Sequence, residues 1–124
     1  MRPGISRSQW FEFNRPSVGR LAFMVHRLTG IALAAYLFLH LAVLAQLQAG
    51  PSGWDGFVAL AESPLFTLLD VILLAGVLFH GLNGLRMTLL GFGKALRWQG
   101  QLFWTALVVA IGFTAWGAVA MLQR

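Results

Sequence analysis

Three long apolar stretches, separated by short polar ones, dominate the pattern of this chain. The apolar stretches are residues 28–47, 65–90 and 102–122. Each can cross the hydrocarbon core of a bilayer, about 30 Å thick, as a helix that rises about 1.5 Å per residue. The pattern therefore predicts an all-α membrane protein with three transmembrane helices. The predicted segments are an N-terminal segment 1–20, helices 21–48, 65–91 and 101–124, and loops 49–64 and 92–100.

Composition and charge agree with a membrane location. Of the 124 residues, 58% are hydrophobic and 10% are charged, and so short a chain cannot bury that much apolar surface in one soluble core. The basic residues cluster before or at the start of the first helix and in the second loop, whereas the first loop carries only Asp55 and Glu62. The positive-inside bias predicts that the N-terminus and the second loop face the cytoplasm or matrix and that the 49–64 loop faces outward. We expect the cell inner membrane as the location. Membrane orientation accounts for these charges, so no nucleic-acid partner is predicted.

The first twenty residues combine aromatic side chains with arginines. Trp10, Phe11 and Phe13 lie among them. Such a segment is typical of the membrane interface or of contact with a soluble partner, and an unstructured tail is the alternative. The first apolar run is longer than the roughly 7–15 residues of a signal-peptide core, so we expect a span that is retained.

Histidines and glycines mark one face in each of the first two helices. His80 lies deep in the second apolar run, with Gly76 and Gly84 one turn on either side, so a flat macrocycle could lie on that face. In the first helix four polar residues share a face: His26, Thr29, Tyr36 and His40. We expect these faces to lie against each other or against a partner, because lipid excludes polar side chains. Small residues of the third helix predict close packing: Ala106, Ala110 and Gly117.

Three chemistries would use histidines inside a membrane. Catalytic zinc needs three protein ligands, and besides the histidines the membrane interior offers only Asp70, so zinc is not predicted. A proton relay would string ionisable groups across the bilayer, yet no carboxylate connects the histidines. Haem ligation fits best, because His80 and His40 supply imidazoles while Arg27 and Arg86 supply cations for the propionates. A histidine that only hydrogen-bonds a neighbouring helix is the alternative.

Two short motifs resemble those of a known family. His26-Arg27-Leu28-Thr29-Gly30 is similar to the His-Arg-x-Ser/Thr-Gly signature of the cytochrome b membrane anchor of succinate dehydrogenase. His80, followed after three residues by Gly84-Leu85-Arg86, resembles the haem-ligand motif of that family. The resemblance implies the large membrane subunit of complex II, which anchors a succinate:quinone oxidoreductase and is not catalytic alone. It also implies three partners: a second small membrane anchor subunit that completes the helical bundle, an iron–sulfur subunit and a flavoprotein subunit.

The same resemblance implies roles for individual residues. The haem b site would comprise His80, Gly84, Arg86, Arg27 and His26. Quinone would bind beside Arg27 and His26, because an arginine can hydrogen-bond a quinone carbonyl without losing its proton. Phe23 belongs to that quinone site by position, although many relatives carry a serine there. Met87 and Gly91 stand where many relatives carry histidine and aspartate. A fumarate reductase anchor working in the reverse direction and a non-redox helical adaptor are the alternatives.

His40 predicts a second haem. The single-haem branch of the family lacks this histidine, whereas a two-haem branch has one in the same helix. Counted from the cytoplasmic side, His80 lies roughly 16 Å deep and His40 roughly 28 Å deep. One iron cannot take both ligands across about 12 Å, so we expect two haems, each with its second axial ligand from the partner anchor. A single haem on His80, with His40 as a helix-packing hydrogen-bonder, is the alternative.

Overall fold

The computed structural model describes residues 17–93 and 95–123, which form helices and short connections without any strand. The α-helices are α1 Val18–Leu44, α2 Pro51–Ala61, α3 Pro64–Gly91 and α4 Gln99–Leu122. Short 3-10 helices lie after α1 and before α4, at Ala45–Ala49 and Leu96–Trp98. The aromatic residues of the predicted interfacial segment, and Lys94 of the second loop, lie outside the described residues.

Three of these helices have the length and apolar character of transmembrane helices, which confirms the predicted fold class. The spans are Val18–Ala49, Pro64–Gly91 and Leu96–Leu122. Their outer faces carry large apolar side chains such as Leu28, Phe38 and Val108, which are 68%, 73% and 67% exposed. A helix that is apolar all round is stable in contact with lipid. The chain is therefore a multi-pass membrane protein.

Local signals in the sequence set the helix ends. The hydroxyl of Ser17 accepts a hydrogen bond from the backbone N–H of Arg20 at 3.3 Å and caps the start of α1. Gly50 adopts a φ of 79°, which ends the first span, and Pro51 begins α2 at a position where no N–H is needed. The connection 49–64, predicted as a loop, therefore contains an 11-residue helix. Gly50 and Pro51 end the first span and also start α2, which corrects the prediction that residues 49–64 form only a loop.

Helix α3 lies between α1 and α4 and packs against both. Its contacts with α1 pair Gly84 with His26, His80 with Gly30, and Gly76 with Leu33. Positions descend along α3 as they ascend along α1, so the two helices run antiparallel in a single register. This register brings the polar faces of the two helices together along the first half of α1, as the sequence predicted.

Close packing joins α3 to α4. Phe79 meets Phe103 edge-on, with ring centroids 6.3 Å apart. Ala106 and Ala110 are buried, Ala110 in one cluster with Phe79 and Phe103, and Gly117 is in contact with a leucine of α3. Small side chains let the two backbones approach, which confirms the packing role predicted for the third transmembrane helix.

Candidate functional site

His80 has closely defined surroundings inside the bundle. Its Nδ1 lies 3.1 Å from the backbone carbonyl oxygen of His26 and 3.1 Å from the hydroxyl oxygen of Thr29. Both neighbours belong to α1, whereas His80 belongs to α3. The orientation of the imidazole is therefore set across a helix interface rather than within its own helix.

The contact with a carbonyl oxygen decides where neutral His80 carries its proton. A carbonyl only accepts hydrogen bonds, so the His26 contact assigns the proton to Nδ1. The Thr29 hydroxyl can donate its own proton to the carbonyl of Val25 or of His26, each at 2.9 Å, and its lone pair then accepts from Nδ1–H. Nε2 keeps its lone pair and makes no hydrogen bond to a described residue. Neutral imidazole in this state is a metal ligand.

The imidazole of His26 lies flat against that of His80. Their ring centroids are 4.0 Å apart and their planes differ by 7°. Glycines make room for this pair: a Cβ on Gly30 would lie 2.9 Å from Cε1 of His80, and one on Gly84 would lie 3.3 Å from Cε1 of His26. Nδ1 of His26 is buried and has no hydrogen-bond partner among the described residues. A parallel ring covers the face of His80 but not the in-plane direction of its Nε2.

The glycines of α3 therefore border different neighbours from those predicted. The sequence predicted an open slot between Gly76 and Gly84, but the His26 ring fills the space beside Gly84, and a Leu33 methyl lies 3.9 Å from the Cβ position of Gly76. Spacing along one helix shows which face lacks side chains, not what occupies it. The role of Gly84 beside a haem stays a prediction.

Asn83 and Arg86 form a second set of polar contacts at the same end of the bundle. Asn83 is fully buried, and its side-chain amide donates a hydrogen bond to the carbonyl of Ala22 at 3.2 Å. Arg86, 5% exposed, donates from Nε to the carbonyl of Gln99 at 3.0 Å and from Nη1 to Oδ1 of Asn83 at 3.4 Å. Its guanidinium carbon also lies 5.8 Å from the ring centroid of Phe103. Arg86 thus faces α4, and its predicted contact with haem propionates stays a prediction.

Arg27 and Phe23 lie one turn apart on an exposed face of α1. Phe23 is 52% exposed. Because successive residues of a helix are about 100° apart, Arg27 points to a different side of α1 from His26, which faces α3. The structure thus brings together two of the three residues predicted to bind quinone and places the third on the adjoining face.

His40 lies toward the other end of α1 and is exposed. It stacks on Tyr36, one turn earlier, with ring centroids 5.8 Å apart. His80 faces Gly30, so His40 lies about 15 Å farther along the axis of α1. One iron cannot bind both His80 and His40 at that separation. In residues 17–93 and 95–123, no three His, Asp or Glu side chains converge on one point.

Comparison with known proteins identifies a family. Residues 6–123 match the family model for the C subunit of fumarate reductase. The succinate dehydrogenase hydrophobic membrane anchor subunit of Halobacterium salinarum is 36% identical over 102 residues, which cover 82% of this chain and 76% of the relative. The succinate dehydrogenase 2 membrane subunit of Mycobacterium tuberculosis is 32% identical over 91 residues, which cover 73% and 67%. The C subunit of fumarate reductase from Yersinia enterocolitica is 29% identical over 58 residues, or 47% of this chain and 45% of the relative.

The chain belongs to the membrane anchor subunits of complex II. Membership of this family implies that the anchor works within the membrane together with other subunits of the complex. The family resemblance predicted from the two histidine motifs is thereby confirmed.

Two residues of this anchor contribute to the site although the sequence analysis gave them no role. Thr29 contacts His80, and Asn83 joins α3 to α1. Thr29 had been placed only on the polar face of the first helix. The sequence did carry a signal for both residues. Each is a hydrogen-bonding side chain in an apolar helix, one turn from a histidine predicted to bind haem. Such a side chain in hydrocarbon needs a partner, and the nearest ring or carbonyl of the facing helix supplies it.

Proposed function

We propose that this chain is the haem b-binding anchor subunit of a succinate:quinone oxidoreductase and passes electrons from an iron–sulfur subunit to membrane quinone. The complex would also contain a flavoprotein subunit and a second small membrane anchor subunit. It would lie in the cell inner membrane, with the N-terminus of this chain on the cytoplasmic side, as the basic residues predict. The observation that carries the proposal is the state of His80, whose Nδ1–H is held by α1 while Nε2 makes no hydrogen bond to a described residue.

That state of His80 fits a histidine that would hold haem iron. A histidine that binds a metal almost always donates its other ring N–H to a neighbouring acceptor, which fixes both tautomer and orientation. His80 finds both acceptors within this chain. Haem b, when bound, would supply a one-electron carrier inside the membrane. His80 would hold the iron, His26 and Gly84 would lie beside that ligand, and Arg27 and Arg86 are the candidates to bind the propionates.

A second haem is proposed on His40. The separation of about 15 Å along α1 requires a different iron for each histidine. Exposure of His40 in this chain favours a site completed by the partner anchor, since an unpaired imidazole in hydrocarbon is costly.

An absorption spectrum of the purified complex tests the haem proposal. We expect a Soret band that dithionite and succinate both reduce, and a loss of haem in His80→Ala. Val77→Ala, one turn earlier on the same helix and half exposed, is the matched control and should keep the full haem content. A wild-type complex without a Soret band, as expected of a non-redox adaptor, or an undiminished band in His80→Ala would overturn the proposal.

Quinone binding is proposed at Arg27 and Phe23, beside His26. The Arg27 guanidinium would donate a hydrogen bond to a quinone carbonyl, and the exposed ring of Phe23 would pack against the headgroup. Arg27→Ala should lower succinate:quinone activity about tenfold or more, because a hydrogen bond from a charged group contributes about 1.5–3 kcal/mol. Succinate reduction of a soluble artificial acceptor should persist. Arg20→Ala removes an exposed arginine two turns earlier and serves as the control; unchanged quinone turnover in Arg27→Ala would contradict the assignment.

A fumarate reductase anchor is the second candidate. The matching family model is named after that enzyme, and so is the Yersinia enterocolitica relative. The two relatives named after succinate dehydrogenase cover more of this chain, which favours succinate oxidation. Rates of succinate oxidation by quinone and of fumarate reduction by quinol, measured on one purified complex, separate the two; a much faster fumarate reduction would favour the second candidate.

A further inference from the structure

We propose that Thr29 is a positioning residue for His80: its hydroxyl oxygen accepts the Nδ1–H hydrogen bond and so fixes the direction and the basicity of Nε2. This inference rests on the proposed haem ligation by His80. It assigns a role to a side chain that touches neither iron nor quinone and acts only through the imidazole.

The hydrogen-bond donors and acceptors around His80 make the Thr29 hydroxyl oxygen an acceptor for Nδ1–H. Two carbonyl oxygens, of Val25 and His26, lie 2.9 Å from the Thr29 hydroxyl, so its single proton has a partner within α1. The His26 carbonyl also lies 3.1 Å from Nδ1 of His80 and can only accept. Nδ1–H is therefore shared between one carbonyl and one hydroxyl oxygen. Thr29 can direct its own proton to the Val25 carbonyl, which leaves its hydroxyl oxygen to accept from Nδ1–H.

The ring of His80 has little freedom to adopt another orientation. The His26 imidazole covers one face at 4.0 Å, and the backbone of Gly30 lies so close that a Cβ there would come within 2.9 Å of Cε1. A half-turn of the ring about its Cβ–Cγ bond would place a C–H where Nδ1–H now meets two acceptors. Thr29 therefore stabilises the orientation that the packing allows, and it selects the nitrogen that remains free.

A hydrogen bond at Nδ1–H changes the electronic character of the ligand nitrogen. Donation from Nδ1–H makes the imidazole more basic at Nε2. A more basic ligand favours the higher charge of ferric iron and lowers the reduction potential of the haem. Without the Thr29 hydroxyl, the His26 carbonyl is the one acceptor left to Nδ1–H among the described residues, and the potential should become more positive.

The test compares Thr29→Val with Thr29→Ser in the full complex. Valine keeps the shape but lacks the hydroxyl, whereas serine keeps the hydroxyl. In Thr29→Val we expect a haem-to-flavin ratio close to wild type, a more positive midpoint potential for the haem that His80→Ala eliminates, and a changed ferric electron paramagnetic resonance signal. Thr29→Ser should return both values toward wild type. Thr88→Val, which removes a hydroxyl bonded within α3 to the Gly84 carbonyl, should change neither.

The outcomes separate this inference from the function on which it rests. If His80→Ala loses haem but Thr29→Val changes neither the potential nor the resonance signal, the role of Thr29 is overturned and haem ligation stands. If His80→Ala keeps all haem, both are overturned. Should Thr29→Val fail to assemble, Thr29→Cys replaces it, because a thiol is a weaker acceptor. An unchanged potential in Thr29→Cys would overturn the inference equally.

Discussion

The two ends of this bundle differ in whether their polar side chains hydrogen-bond to a neighbouring helix. At the His80 end, formed by the start of α1, the end of α3 and the start of α4, hydrogen bonds cross between helices from His80, Asn83 and Arg86. At the His40 end, formed by the rest of α1 and the start of α3, Tyr36, His40 and Asp70 are exposed. Among the described residues, every side-chain hydrogen bond between helices lies at the His80 end.

The contrast indicates which part of the site belongs to this subunit alone. A polar group in hydrocarbon is stable only when paired, so the contacts of His80, Asn83 and Arg86 can form within this chain, whereas the polar side chains of the His40 end need partners from elsewhere. The hydrogen-bond partners of His80 thus lie within this subunit, whereas the surroundings of His40 depend on assembly.

The largest effect is expected when the partner subunits are withheld. Expressed alone, this chain should aggregate or be degraded, because the polar side chains of the His40 end remain unpaired. Size-exclusion chromatography and circular dichroism in mild detergent measure the yield of monodisperse, helical protein. Replacing all three polar residues together, by Tyr36→Phe, His40→Leu and Asp70→Leu, should raise that yield. A monodisperse haem-free monomer of the wild-type chain with native helicity would contradict the claim that the His40 end needs partners from other subunits.

The next largest effect concerns the haem content of the assembled complex. On the proposal that His40 holds a second haem, His40→Ala should lower the pyridine haemochrome measured per flavin from about two to about one, because that haem would lose its ligand from this chain. Tyr36→Phe keeps a ring stacked on His40 and should leave the ratio unchanged. A wild-type ratio near one, or a ratio near two that survives His40→Ala, would show that His40 is not a haem ligand.

The sequence predicted the spans and the family but not the contacts inside the site. Hydrocarbon thickness sets the length of an apolar run, so three helices followed directly from the pattern. The helix α2 was missed because Gly50 and Pro51 also mark turns. The Gln99 carbonyl that accepts from Arg86 and the His26 ring beside Gly84 were missed because they lie on other helices, and only the register of three packed helices brings them together.

A moderate effect is expected from Asn83, which bonds α1 directly and also accepts from Arg86, the side chain that bonds α4. Asn83→Leu leaves the Ala22 carbonyl without its side-chain donor and removes one partner of the buried Arg86. We expect the free energy of unfolding to fall by about 2–4 kcal/mol, the cost of unpaired buried polar and charged groups. Thermal dissociation of this subunit from the purified complex measures the change. Thr88→Val, at an exposed hydroxyl of the same helix, should stay close to wild type.

The smallest effects are expected from a graded series of glycine substitutions that probes how tightly the His80 end is packed. A Cβ would lie 2.9 Å from the His80 ring at Gly30, 3.3 Å from the His26 ring at Gly84, and more than 4 Å from any neighbouring atom at Gly81. The two rings are stacked, so neither yields without displacing the other. Overpacking costs about 1–3 kcal/mol, while alanine gains about 0.5–1 kcal/mol over glycine in a helix.

Each substitution stabilises or destabilises the complex according to whether the gain in helix propensity or the cost of overpacking is larger. Gly81→Ala gains helix propensity without a clash, so the complex should be as stable as wild type or slightly more stable. Gly84→Ala needs a movement of a few tenths of an ångström and should be near neutral, whereas Gly30→Ala should be clearly destabilising. Thermal dissociation of the subunit gives the order. If Gly30→Ala proved as stable as Gly81→Ala, the His80 ring would be free to move, and the His80 end would be no better defined than the His40 end.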